Sequence, residues 1–130
     1  MTDVQKITRI QTTAETANGP KIEQYGTRLR ASYDVEQEDT PTPRWFAIDF
    51  IDTLAFRWTP DFACDAGQVG GYSAVAEKRQ SEWLASLLNH EEGPNENFAL
   101  QLHHFIIYFD HEGALEVVAR QFEVEPEAVI

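Results

Sequence analysis

Between Tyr25 and Asp34 apolar and polar positions alternate: Tyr25, Thr27, Leu29, Ala31 and Tyr33 fall on one side, Gly26, Arg28, Arg30, Ser32 and Asp34 on the other. That period of two predicts a half-buried β-strand. In "RWFAIDFIDTLAFRW", Phe46, Ile48 and Phe50 share a face, the phase slips at Ile51, Asp52 and Thr53, and the pattern resumes as Leu54, Phe56 and Trp58. The slip predicts either a β-bulge or two strands joined by a tight turn. Near the N-terminus, "QKITRIQTT" reads as a strand, although Val4, Ile7 and Ile10 also fit a helical spacing. The following Asn18-Gly19 suits the positive φ angles of a hairpin turn.

A different period governs "SEWLASLLNH", residues 81–90. Trp83, Leu84, Leu87 and Leu88 form an apolar stripe, Ser81 is suited to cap the first turn, and Gly93 and Pro94 follow as stop signals. "AVAEKRQ" upstream extends this helix by up to two turns. Residues 36–43, "EQEDTPTP", read as a loop. "TPDFACDAGQVGGYS" reads as a flexible connection, since its glycines lack the Lys-Ser/Thr of a phosphate-binding loop. The last third holds two β-rich runs flanking Asp110 to Gly113, a hairpin followed by an acidic tail over 123–130.

These elements predict an α+β fold: a mainly antiparallel sheet of about five to six strands with one main helix packed on it. The 130 residues make a single domain, 1–130, with residues 1–20 as a flexible or hairpin-forming N-terminal segment. Hydrophobic residues at 42% and aromatics at 12% are those of a globular chain. No apolar run approaches the roughly 20 residues needed to cross a bilayer, and "MTDVQKITRI" has no signal-peptide core. A soluble, cytoplasmic protein is expected. Cys64 is the only cysteine, which excludes an internal disulfide, a zinc site of cysteines and a CxxC redox pair.

Charge then narrows the functions. Twenty-two acids against ten bases give −12, and from Gln80 to Ile130 ten acids face the single base Arg120, a balance of −9. Such a field repels nucleic acid and anionic membranes and attracts basic partners. No nucleic-acid or membrane partner is expected, and an exposed edge strand would allow a homodimer.

Candidate chemistry centres on "HHFIIYFDHEG", residues 103–113. At about 3.3 Å per residue, His103 or His104 stands about 23 to 27 Å from His111, too far to share a metal ion. His103 and His104 also point to opposite faces of the sheet. Only His90 could join one of them, so no metal and no cofactor are expected. Serines 32, 73, 81 and 86 lack a nucleophile-elbow motif, and no serine stands with His and an acid in a way that sequence alone displays. Asp49 and Asp52 read as solvated acids. No catalytic residues are assigned, and the chain is read as a non-enzyme. Placing Asp110–Gly113 in the hairpin loop pairs Phe109 with Ala114, Ile107 with Glu116 and Phe105 with Val118. One face then reads His104, Ile106, Tyr108, Leu115, Val117 and Ala119, a core face. The other mixes His103, Phe105, Ile107 and Phe109 with Glu116, Val118 and Arg120, as an interaction surface would.

The stretches "FAIDFIDTLAFRWTPD", "SEWLASLL" and "HHFIIYFDHEGALEVVARQFEVE", covering roughly residues 44 to 125, resemble in their patterning small acidic bacterial immunity proteins encoded beside polymorphic or contact-dependent toxins. The resemblance implies an inhibitor that covers a basic toxin domain, for instance a nuclease, with an acidic surface. Independently of it, charge and patterning nominate Asp110, Glu112 and Glu116 as partner-binding acids, with Phe105 and Phe109 as apolar anchors. Two other readings compete. One is a small enzyme or ligand-binding domain with a pocket between sheet and helix, using His104, Tyr108 and a carboxylate such as Asp49. The other is a nucleic-acid-mimicking inhibitor.

Overall fold

The structure, a computed structural model, describes residues 4–13, 19–36, 41–89 and 95–129. Among the described residues there are seven strands: β1 (Val4–Arg9), β2 (Lys21–Tyr25), β3 (Arg28–Val35), β4 (Arg44–Pro60), β5 (Ala74–Lys78), β6 (His103–Phe109) and β7 (Gly113–Val124). They form one sheet in the order β1-β5-β6-β7-β4-β3-β2, every neighbouring pair antiparallel. Three short α-helices lie between strands among the described residues: α1 (Ala66–Val69), α2 (Glu82–Leu88) and α3 (Glu96–Ala99).

The sheet curls onto itself. Tyr33 on β3 and Phe109 on β6 lie three strand spacings apart in the sheet order, about 14 Å if it were flat. Their ring centroids are 5.6 Å apart. The Tyr33 hydroxyl also donates to the Gln11 carbonyl at 2.7 Å, just beyond β1 at the far side of the sheet. The concave face therefore closes around its own side chains: Leu29, Ala31 and Tyr33 from β3, Phe46, Ile48 and Phe50 from β4, Phe105, Ile107 and Phe109 from β6, and Leu115, Val117 and Ala119 from β7. The chain after β7 shuts one end, with Ile10 bridging Val129 and Gln11 N–H donating to the Ala128 carbonyl at 2.7 Å.

This curl overturns the expected five or six strands under one main helix. The core is covered by sheet, so no long helix is needed to bury it. α2 spans seven residues and buries none of them fully; its Trp83, Leu84, Leu87 and Leu88 stripe is half-buried. "AVAEKRQ", expected to lengthen that helix, begins with strand β5. "QKITRIQTT" does contain a strand, β1. The alternating run from Tyr25 is broken by a turn at Gly26-Thr27, so it contributes to two strands. The slip at Ile51–Thr53 is a bulge within one long strand: the β4–β7 register shifts between Thr53 and Ala55, and Asp52 takes φ 55°. Asn18, His90, Gly93 and Pro94 lie outside the described residues.

The β6–β7 hairpin has a three-residue loop. Phe109 pairs with Gly113, leaving Asp110, His111 and Glu112 to turn the chain, with His111 at φ 65°. A three-residue loop closing through a left-handed residue is a common hairpin solution. The register is thus one residue away from the pairing expected on a four-residue loop, and a one-residue slip exchanges faces. Phe105 and Phe109, expected as exposed anchors, face the core and are 3% and 0% exposed. Glu116 moves to the outer face, beside His104.

Candidate functional site

Glu116 stands in an otherwise apolar stretch of β7, "GALEVVA", and is itself 2% exposed. A carboxylate buried there needs partners. Three elements provide them. Arg57, its register partner on β4, meets it with two parallel bonds, Nε to Oε2 at 2.8 Å and Nη2 to Oε1 at 3.0 Å. His104, diagonal to it on β6, lies with Nε2 2.8 Å from Oε1. Gln68 of α1 donates from Nε2 at 3.1 Å, and the same nitrogen also lies 2.9 Å from Thr59 Oγ1. Burial alone would raise the Glu116 carboxyl; the bonds from His104, Arg57 and Gln68 and the Arg57 charge outweigh it and hold it at about 2.

The chain of contacts continues outward. His104, 1% exposed, has Nδ1 2.6 Å from Ser81 Oγ. Ser81 caps α2 by accepting the Leu84 N–H at 3.0 Å. An ionised Glu116 only accepts, so His104 Nε2 carries a proton toward it. A neutral ring then leaves Nδ1 free to accept the Ser81 hydroxyl proton. The Trp83 ring completes the site, stacked 4.2 Å from the Arg57 guanidinium and edge-on to His104 at 5.1 Å between centroids. Arg57, Lys78, Gln80, Ser81, Glu82, Trp83 and His104 line a cavity of about 650 Å³. Of the groups expected in a sheet-helix pocket only His104 is here. Tyr108 is bonded elsewhere, and Asp49 pairs with Arg30 at 3.4 Å.

A second feature lies at the loop end of the sheet. The β6–β7 loop, Asp110–Glu112, abuts a 3₁₀ turn at Asp61–Ala63, whose Asp61 N–H donates to the Glu112 carbonyl at 3.1 Å. The Tyr108 hydroxyl bridges Asp61 and Asp110, and its bond to Asp61 is the main cause of a pKa raised above the usual phenol range. Asp65 caps α1 nearby and is exposed, as is Glu112. Phe62 projects from the 3₁₀ turn at 91% exposure. Residues 58–73 and 108–115 contain no lysine or arginine.

Elsewhere the acids of the second half are less free than their number implies. Glu123, Glu125 and Glu127 lie 3.5, 2.6 and 3.0 Å from Arg28, Arg30 and Arg44, and Glu116 is tied to Arg57. The segment expected as an acidic tail begins in β7 and is fastened to bases from the first half. Of the residues nominated for partner binding, Asp110 and Glu112 sit together at the loop end, whereas Phe105 and Phe109 lie in the core and Glu116 is buried on the other face of the sheet. Asp61, Phe62 and Asp65 join the first two through a connection that the sequence pattern left as a loop. The three visible histidines are separated: His103 pairs with Glu77 at 2.6 Å, His104 with Glu116, and His111 is exposed at the tip. Among the described residues no group of three or more His, Cys, Asp or Glu is placed to hold a metal ion, and no helix is long and apolar enough to cross a membrane.

Comparison with protein-family models, curated proteins and solved structures finds no match to this chain.

Proposed function

We propose that this chain is a binding protein that captures a basic protein partner at the loop end of its sheet, and that it serves as an immunity protein neutralising a toxin domain such as a nuclease. The observation that carries the reading is the grouping of Asp61, Asp65, Asp110 and Glu112 around exposed Phe62, with no lysine or arginine in either segment that builds the end. Carboxylates held at a rim speed the encounter with a positive surface, and a projecting aromatic ring provides desolvated contact once the two meet. The net charge of −12 adds long-range attraction of the same sign. Arginines mute Glu123, Glu125 and Glu127, whereas at the loop end the Tyr108 hydroxyl bonds Asp61 and Asp110 and His111 lies 3.5 Å from Asp110, which leaves that end the more concentrated source of negative charge.

The test is protection in cells. The chain is co-expressed with the basic protein encoded next to its own gene, and growth is followed with wild type and with the double variant Asp110→Lys/Glu112→Lys. The reading expects wild type to rescue growth and the charge-reversed variant to fail while remaining folded. Absence of a toxic basic neighbour, or equal rescue by both, contradicts it.

A further inference from the structure

The chain Ser81, His104 and Glu116 is drawn together from α2, β6 and β7, and its outer member lines the cavity beneath Trp83. We propose that it is a hydrolytic relay acting on small oxygen esters whose acyl part carries a negative group. This goes beyond the binding reading and does not depend on it.

The geometry meets the requirements of nucleophilic catalysis in turn. A hydroxyl nucleophile needs a base within hydrogen-bond reach, and Ser81 Oγ is 2.6 Å from His104 Nδ1. The base needs a third group holding its other nitrogen, and Glu116 Oε1 is 2.8 Å from Nε2. Glu116 is itself locked by Arg57 and Gln68, so the ring is oriented by a carboxylate that cannot turn away. His104 is shielded from solvent, whereas Ser81 is only half-buried and opens onto the cavity. The cavity wall carries Lys78, the carboxylate of Glu82 and the Nη1 edge of Arg57, whose Nε and Nη2 are taken by Glu116; Lys78 and that Nη1 edge are the groups that would meet an anionic substituent on the acyl chain.

The step balances without any added reagent. Ser81 Oγ bonds to the ester carbonyl carbon while its proton passes to His104 Nδ1, and the imidazolium is stabilised by Glu116. Collapse of the tetrahedral species breaks the bond to the alkoxy oxygen, which leaves with the proton from Nδ1. Water, deprotonated by the same nitrogen, then cleaves the acyl-serine to a carboxylic acid and restores Ser81. Ser81 and His104 are the catalytic residues, and Glu116 is a positioning residue.

The test uses the full chain with a fluorophosphonate and with two chromogenic esters, p-nitrophenyl acetate and the anionic p-nitrophenyl hemisuccinate. Wild type is expected to take up one equivalent of the fluorophosphonate on Ser81, located by mass spectrometry. It should hydrolyse the hemisuccinate with a burst of nitrophenolate and in preference to the acetate. Ser81→Ala, which loses the helix cap and the hydroxyl at His104 Nδ1, should fall to the background rate, a loss of roughly 100-fold or more. Glu116→Gln should lower kcat with KM little changed and move the acid limb of the pH profile. Absence of label on wild-type Ser81, or hydrolysis by Ser81→Ala equal to wild type, overturns the proposal.

Discussion

At the scale of single residues, Glu116 decides more than any other side chain. Its carboxyl is held at about 2, against an ordinary value near 4.5. A carboxyl depressed by folding contributes stability at all pH values above its unfolded pKa, and the contribution fades as pH falls through the folded one. Urea unfolding of wild type should therefore show stability falling between about pH 4.5 and pH 2 by on the order of 3 kcal/mol from this group. Glu116→Gln should start about 2 to 3 kcal/mol less stable at pH 7, because Arg57 and His104 lose their ionic partner, and should lack that portion of the acid-side decline. Equal acid titrations for both proteins would show that Glu116 is not held as described. The apolar residues on both sides of Glu116 carried a signal of burial, but the pairing expected for the hairpin set it on a surface as a partner-binding acid. Its partners were not legible, since Arg57 and His104 reach it only through the register of β4 and β6 with β7.

At the scale of elements, the β6–β7 hairpin shows how a single residue in a loop changes the reading of a whole surface. The alternation through Phe105, Ile107 and Phe109 was evident, but alternation alone does not say which face is inward. Counting four loop residues in place of three put Glu116 with the phenylalanines and made a core face look like an interface. In the actual register Phe105→Ala and Phe109→Ala remove core packing, and each should cost about 3 to 5 kcal/mol in equilibrium unfolding. Variants as stable as wild type would mean that these rings are not enclosed. The loop itself has a sharper test. Gly113 has φ 151°, and an added Cβ would lie 2.3 Å from the Thr59 carbonyl oxygen, so Gly113→Ala needs the β4 backbone to move and should cost more than about 3 kcal/mol. Gly26, at φ 60° with open space around it, serves as the control: Gly26→Ala should cost only about 1 to 2 kcal/mol. Equal losses at the two glycines would argue against the close approach of β4 to the hairpin. The phase slip in β4, read as either a bulge or a tight turn, and the apolar stripe of α2 were readable because each depends on neighbours in sequence. Strand β5 was not, since "AVAEK" is short and its small side chains fit either period.

At the scale of the whole molecule, charge is distributed by the curl of the sheet. Laying β7 against β4, with β3 beyond it, places Glu123, Glu125 and Glu127 on Arg28, Arg30 and Arg44. Exposed pairs of this kind contribute about 0 to 1 kcal/mol each, so their main effect is to mute one part of the acidic surface. The −9 imbalance of the second half was readable from composition. Which acids stay unpaired depends on contacts between residues up to 95 positions apart, such as Arg30 with Glu125, which no local pattern encodes. The fold leaves Asp61, Asp65, Asp110 and Glu112 at the loop end beside Phe62, and the function proposed for the chain rests on that end. Calorimetric titration of the chain with the basic product of its neighbouring gene, at several salt concentrations, tests this most directly. The account predicts that wild-type affinity falls as salt rises, and that Asp110→Lys/Glu112→Lys binds at least 100-fold more weakly, about 2.7 kcal/mol, with a flatter salt dependence. Unchanged affinity and unchanged salt dependence in the charge-reversed variant would contradict it.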